Sequence, residues 1–204
     1  SIVIYNPVDL KEYTGSGLKA SKEKKIVTAG RLMPQKNQKM MIRAFAQLLK
    51  KYPDYKLLIY GDGPSEAELK NLIEELKISS NVTLEGNVKD LHDRIKSAEI
   101  FILSSDYEGM PNALIEAMCM GLPVISTKVS GATDLIRHGE NGFLTDCGNC
   151  EQFEKALDEL LANPEKMKVF ANESVKLAEF LEVNVIVKEW RDYIDEIVAE
   201  KNVT

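Results

Sequence analysis

Histidine, cysteine and tryptophan are scarce, with two, three and one copies among 204 residues. Three Cys is an odd number, and Cys119 lies in an apolar stretch, which argues against a disulfide-stapled secreted domain and for a reducing compartment. Cys147 and Cys150 form a C-x-x-C pair, but a zinc site wants four ligands, and the nearest His, His138, stands nine residues before Cys147 with no fourth partner. The pair reads as two thiols in a loop. A Ser-His-Asp or Cys-His arrangement would need His92 or His138 beside a nucleophile, and neither neighbourhood supplies a recognisable elbow; both read as surface histidines. No Asp-x-Asp pair occurs, which disfavours a divalent-ion site built on one, and no metal is expected.

Long apolar runs and excess positive charge are also missing. No run approaches the roughly 18 to 20 residues that span a bilayer, and Ser1 to Asp9 has no basic start followed by a long apolar stretch. Lys and Arg number 26 against 32 Asp and Glu, a formal charge of −6, which disfavours nucleic acid or an anionic membrane as the main partner. A cytoplasmic protein is expected, with any membrane contact made through another part of the polypeptide. What is present is ordinary globular material, 44% hydrophobic and 28% charged, enough for one sizeable core. The chain opens on Ser1 and is strand-like at once, at Ile2, Val3 and Ile4, so a domain cut from a longer polypeptide is expected.

Short β-branched or apolar runs recur at Lys25–Gly30, Lys56–Tyr60, Asn81–Glu85, Glu99–Ser104, Leu122–Ser126 and Gly142–Thr145. Helical patterns separate them at Asn37–Lys51, Ser65–Lys77, Lys89–Ala98, Pro111–Gly121 and Thr133–His138, long enough for right-handed crossovers. This alternation predicts an α/β, doubly wound, Rossmann-like sheet of six parallel strands with helices on both faces and ligands at the carboxyl ends of the strands. From Glu151 onward only helix is expected. Phe153, Ala156, Leu157, Leu160 and Leu161 share one face, Met167, Phe170, Val175 and Leu177 mark a second helix, and Ile186, Trp190, Ile194 and Ile197 a third. The Lys-rich stretch Lys19–Lys25 reads as a solvated loop.

The richest loop follows the fourth strand. Pro111 suits a first helical turn, and the amides of Asn112, Ala113 and Leu114 would then face out of the sheet edge as an anion site reinforced by the helix dipole. Glu116 lies one turn inside an otherwise apolar helix, where an unpaired carboxylate is costly, so a polar partner such as a ligand hydroxyl is expected. Glu108 precedes the helix by several residues. Were the whole stretch helical, eight residues would separate the two carboxylates by roughly 12 Å, beyond the ~5 to 9.5 Å of a glycoside hydrolase pair. Two separate grips fit better, although a capping Glu108 and a salt-bridged Glu116 would explain the segment too.

A second loop, Gly30-Arg31-Leu32-Met33-Pro34-Gln35-Lys36-Asn37, carries the charge. Gly30 allows close backbone approach, Arg31 and Lys36 could clamp a diphosphate, and Asn37 suits an N-cap. Gly61-Asp62-Gly63-Pro64 lacks the third glycine of G-x-G-x-x-G and reads as a tight turn lining the cleft, not a nicotinamide fingerprint. Gly86-Asn87-Val88 could offer backbone groups to a base or simply turn the chain.

Together these blocks, with Glu108-Gly109-Met110-Pro111 running through Glu116-Ala117-Met118 and then Gly121-Leu122-Pro123-Val124, resemble the donor-binding half of a family-4 (group 1) glycosyltransferase. The Glu-x7-Glu spacing falls on Glu108 and Glu116. The resemblance implies one half of a retaining GT-B enzyme with a nucleotide-diphosphate sugar as substrate and no cofactor. It implies that Arg31 and Lys36 hold the pyrophosphate, that Glu108 meets donor sugar hydroxyls and Glu116 ribose hydroxyls, that Gly109, Met110, Pro111, Asn112, Ala113 and Leu114 meet phosphates through amides, and that Asn87 and Val88 meet the base. Cys119 replaces the family's usual Ala, and Ser130-Gly131 its Gly-Gly. The implied layout is a junction over residues 1–20 with Asn6-Pro7-Val8-Asp9 at its core, the donor domain over 21–180, and a terminal helix over 181–204. That helix either crosses to an absent amino-terminal domain bearing the acceptor site or packs on its own domain. Two other readings share the fold: a GT-B nucleotide-sugar epimerase, which would need further acid or base residues, and a non-catalytic nucleotide-binding module, against which Arg31 and Glu108 together argue.

Overall fold

The computed structural model describes residues 5, 7 and 13–201; the strand-like start at Ile2 to Ile4 and the junction residues Asn6, Val8 and Asp9 lie outside them. Among the described residues six strands form, at Lys25–Ala29 (β1), Lys56–Tyr60 (β2), Val82–Gly86 (β3), Ile100–Leu103 (β4), Val124–Thr127 (β5) and Gly142–Thr145 (β6). They make one sheet in the order β3-β2-β1-β4-β5-β6, every pair parallel. A parallel sheet covered on both faces needs apolar side chains pointing both ways, which is why these strands read as continuous apolar runs.

Alternate residues feed two cores. Ile26, Leu57, Ile59, Ile100, Ile102 and Ile125 face a cluster closed by helices at Gln38–Leu48 (α2), Glu66–Glu75 (α3), Cys150–Leu161 (α7) and Pro164–Val175 (α8). Val27, Phe101, Leu103 and Val124 face the other, closed by Leu91–Ile95 (α4), Asn112–Cys119 (α5) and Ser130–Leu135 (α6). A short helix, Ser16–Lys19 (α1), precedes β1, and Leu177–Leu181 (α9) and Val183–Lys201 (α10) follow α8. Leu181 and Ile186 are buried in the second core, whereas Trp190, Ile194 and Val198 on α10 remain 48%, 52% and 51% exposed. No helix among the described residues is long and apolar enough to cross a membrane.

Three expectations shift. The helix expected at Thr133–His138 starts at Ser130, because the Gly131 amide donates to the Gly109 carbonyl at 2.8 Å. It stops before Ile136, where Asn141 donates to Leu135 O at 3.1 Å and accepts from the Arg137 amide at 2.8 Å. The helix expected over Lys89–Ala98 shrinks to Leu91–Ile95. The Lys19–Lys25 stretch is solvent-facing but tethered, with the Lys22 ammonium donating to Ala98 O at 2.8 Å.

Strand order runs outward from β1 in one direction and from β4 in the other, so the chain leaves these neighbours toward opposite sides. The crevice at their carboxyl ends is where such sheets bind ligands.

Candidate donor-binding site

After β1 the chain makes a 3-10 turn at Pro34–Lys36, then enters α2 through Asn37, whose side chain accepts from the Met40 amide at 3.3 Å. The turn aims Lys36 across the crevice to the loop after β4, where its ammonium pairs with Glu108. Both side chains are largely enclosed, 20% and 10% exposed. Ser105 donates its hydroxyl to the same Glu108 oxygen at 2.7 Å, and Thr127 donates to the Ser105 carbonyl at 2.5 Å. The loops are stitched further: Ser104 Oγ to Lys36 O at 2.8 Å, the Asp106 amide to Gln35 O at 2.8 Å, and Asn37 Nδ2 to Asp106 Oδ1 at 2.9 Å. Enclosure lowers the effective dielectric around the pair, so its geometry is held firmly.

Glu108 lies ahead of the helix, as its position before Pro111 implies. Pro111 stands as the residue just outside α5. The Leu114 amide does not face the crevice free, as the sequence led one to expect; it donates to the Pro111 carbonyl at 3.0 Å, and so does that of Ile115 at 3.2 Å. A helix that opens at Asn112 closes its first intrahelical bonds onto the residue just before it. The loop Gly109 to Pro111 is braced by α6: a Cβ on Gly131 would sit 2.6 Å from Gly109 O and 2.7 Å from Pro111 Cδ. Only glycine fits there, so Ser130-Gly131 retains the contact at its second position.

On α5, Leu114, Ile115, Ala117 and Met118 are fully buried. Glu116 points away from them, and its Oε2 lies 3.1 Å from His92 Nε2. The polar partner expected for Glu116 is therefore a protein side chain, and His92 is half-buried rather than a free surface histidine. Twenty-four residues separate the two, and nothing in either local pattern signals the contact.

Arg31 is exposed and opens onto a cavity of about 210 Å³ lined by Gly30, Tyr60, Asp62, Asn87 and Val88. Its guanidinium makes no ion pair among the described residues. The loops after β1, β2 and β3 meet there, with the Gly30 amide bonded to Tyr60 O at 3.0 Å and the Gly61 amide to Gly86 O at 2.7 Å. Gly61, at φ +126°, sits so close to Gly30 O that a Cβ would fall 2.1 Å away. Gly30 thus has Arg31 and this cavity on one side and Lys36 on the other.

The remaining sulfur and imidazole groups form no second centre. Cys147 is exposed, and Cys150 donates its thiol to Met40 O at 3.7 Å; burial raises the Cys150 pKa and pushes that of Cys119 up to about 12, so both stay thiols. His138 Nδ1 accepts from the Leu144 amide at 3.0 Å. Among the described residues no group of three or more His, Cys, Asp or Glu could hold a metal ion.

Comparison with known proteins adds three findings. The family described as glycosyl transferases group 1 matches residues 10–177. An uncharacterized glycosyltransferase of Haemophilus influenzae is 36% identical over 169 residues, 82% of this chain and 48% of that protein. The UDP-Gal:alpha-D-GlcNAc-diphosphoundecaprenol alpha-1,3-galactosyltransferase of Escherichia coli is 31% identical over 168 residues, 76% of this chain and 43% of that protein. This chain thus spans about half the length of these curated relatives. Among solved structures, Anabaena HepE in complex with UDP superposes with a TM-score of 0.86 at 24% identity, over 96% of this chain and 57% of that one. That likeness speaks for the fold, which is that of GT-B glycosyltransferases.

Proposed function

The chain belongs to the group 1 glycosyl transferases, and on that premise we propose that it is the half of a retaining glycosyltransferase that binds the nucleotide-diphosphate sugar. One observation carries this reading: Lys36 and Glu108, from loops after neighbouring strands, meet beside the start of α5 at the carboxyl edge of the sheet.

A diphosphate lodged there would lie between the Lys36 ammonium, the Arg31 guanidinium and the first turn of α5. Gly109, Met110 and Ala113 supply the amides we assign to it, with Asn112 beside them; Pro111, which has no N–H, shapes the turn, and Leu114, its amide engaged, would contribute through the helix dipole. Cleavage of the bond from the anomeric carbon to oxygen leaves about one extra negative charge on the β-phosphate. Cations already in place stabilise that charge more than they stabilise the intact donor, which is the condition for catalysis. Glu108 would accept from sugar hydroxyls while tied to Lys36, so sugar and phosphate are gripped by one connected pair. Glu116 takes the ribose hydroxyls, and the cavity beside Asn87 and Val88 takes the base. Transfer is proposed to need no metal, because two side-chain cations serve the leaving group. The exposed Trp190, Ile194 and Val198 support a reading in which α10 packs on a preceding domain that holds the acceptor.

Calorimetric titration with UDP, GDP and ADP tests the site. The UDP-named galactosyltransferase relative makes UDP the first choice. The Glu116→Ala variant should lose nucleoside diphosphate affinity, and UMP should bind more weakly than UDP; equal affinities throughout would mark an incidental pocket. Joined to an acceptor-binding half, the enzyme should keep full activity in excess EDTA, and the 204-residue chain alone should transfer nothing.

A further inference from the structure

We propose that His92 is a positioning residue that fixes the Glu116 carboxylate for the ribose of the donor, with Tyr13 holding the His92 ring. This rests on the reading of Glu116 as the ribose grip. Glu116 stands on the rim of an otherwise buried helix face, where a flexible side chain has several rotamers open to it. A carboxylate only accepts hydrogen bonds, so at 3.1 Å the His92 Nε2 must carry the proton and donate to Oε2. That bond uses one of about four acceptor positions on the carboxylate and sets the plane of the others. Enough remain for two vicinal hydroxyls.

The surroundings support a dedicated support rather than a chance contact. His92 lies on α4, and Leu91 beside it lines the same 210 Å³ cavity as Asn87 and Val88. One short element thus bounds the base cavity and orients the neighbouring carboxylate. On its other side the imidazole stacks against Tyr13, with ring centroids 4.1 Å apart and planes tilted by 34°. The Tyr13 segment is anchored to the far end of the helix that bears Glu116: the Gly15 amide donates to Cys119 O at 3.0 Å and that of Gly17 to Met120 O at 2.8 Å. Carboxylate, imidazole and phenol ring are therefore all referenced to α5. Tyr13 and the turn that follows it thus form part of the frame of the proposed donor site.

Calorimetry on the 204-residue chain with UDP and with 2′,3′-dideoxy-UDP separates this role from plain structure. The wild type should prefer UDP. His92→Phe keeps the ring against Tyr13 but cannot donate; it should lose roughly 3- to 10-fold on UDP, the scale of ordering one freed side chain, and nothing on the dideoxy compound. His92→Asn keeps a polar side chain too short to reach Oε2 and should behave alike. His92→Gln carries its amide near the Nε2 position and should recover most of the loss. If the Phe and Asn variants lower both affinities equally, or leave the ratio as in the wild type, the positioning role is overturned while the donor site stands. If the wild type binds both compounds equally, Glu116 does not grip ribose and this inference goes with it.

Discussion

At the amino-terminal edge of the sheet, Tyr55 donates its phenol to Glu99 at 2.5 Å, and Lys22 donates to Ala98 O at 2.8 Å. At the carboxyl-terminal edge, Lys36 is tied to Glu108, Glu116 to His92, and Arg31 to no ion-pair partner among the described residues. Both edges therefore gather ionisable groups, with different results. The polar groups of the first edge lock the starts of strands to one another. Those of the second stand around an opening and keep acceptor and donor capacity unused. The larger cavity, about 460 Å³, lies at the first edge between Leu18, Pro123, Met167 and Ala171. Size does not single out the candidate site; charge converging from several loops does.

The sharpest way to break this contrast is Lys36→Ala. Loss of one charge-assisted contact to phosphate should weaken UDP binding by about 1.5–3 kcal/mol, roughly 10- to 150-fold in Kd by calorimetry. An unchanged Kd would remove the reason for placing a diphosphate here.

Next comes a pair of matched glycine changes. A Cβ at Gly131 meets Gly109 O at 2.6 Å on the carboxyl-terminal edge, and one at Gly142 meets Val124 Cγ2 at 2.7 Å on the other. Each Gly→Ala change should cost about 1–3 kcal/mol of stability in thermal melts. Only Gly131→Ala should also lower UDP affinity, by about tenfold at most, since it displaces the loop before α5. Equal effects on binding would show that the two edges are not functionally distinct.

The smallest effect is expected from Tyr55→Phe. Burial first, and Glu99 second, raise the Tyr55 pKa above its ordinary value of 10.0. The native state then holds its proton more tightly than the unfolded chain. The resulting stability is complete below about pH 10 and is lost as pH climbs beyond it. The phenylalanine variant should show a weaker decline in denaturant midpoint above pH 10, lose about 0.5–1.5 kcal/mol at neutral pH, and bind UDP normally.

Much of this layout is legible in the sequence itself. Continuous apolar runs such as Ile100–Leu103 mark buried parallel strands because both faces must be covered, and the six runs agree with the strands to within a residue or two. The blocks around Arg31, Lys36 and Glu108 were readable since each directly follows a strand. The start of α6 was misplaced because it depends on the Gly131 amide finding Gly109 O, a contact across 22 residues of sequence. The role of Ser105 was missed too, since a serine pair after a strand looks like any turn until its hydroxyl is seen on Glu108.

Local pattern alone determined the alternation of strand and helix, the burial of α5, and which loops carry charge, because periodicity and turn chemistry act over a few residues. Which loops became neighbours was decided by strand order in the folded sheet. Bringing β1 beside β4 is what set Lys36 against Glu108, and packing α4 beside α5 is what gave Glu116 its histidine. Such pairings depend on distances through space between residues far apart in the chain, and no short-range signal encodes them.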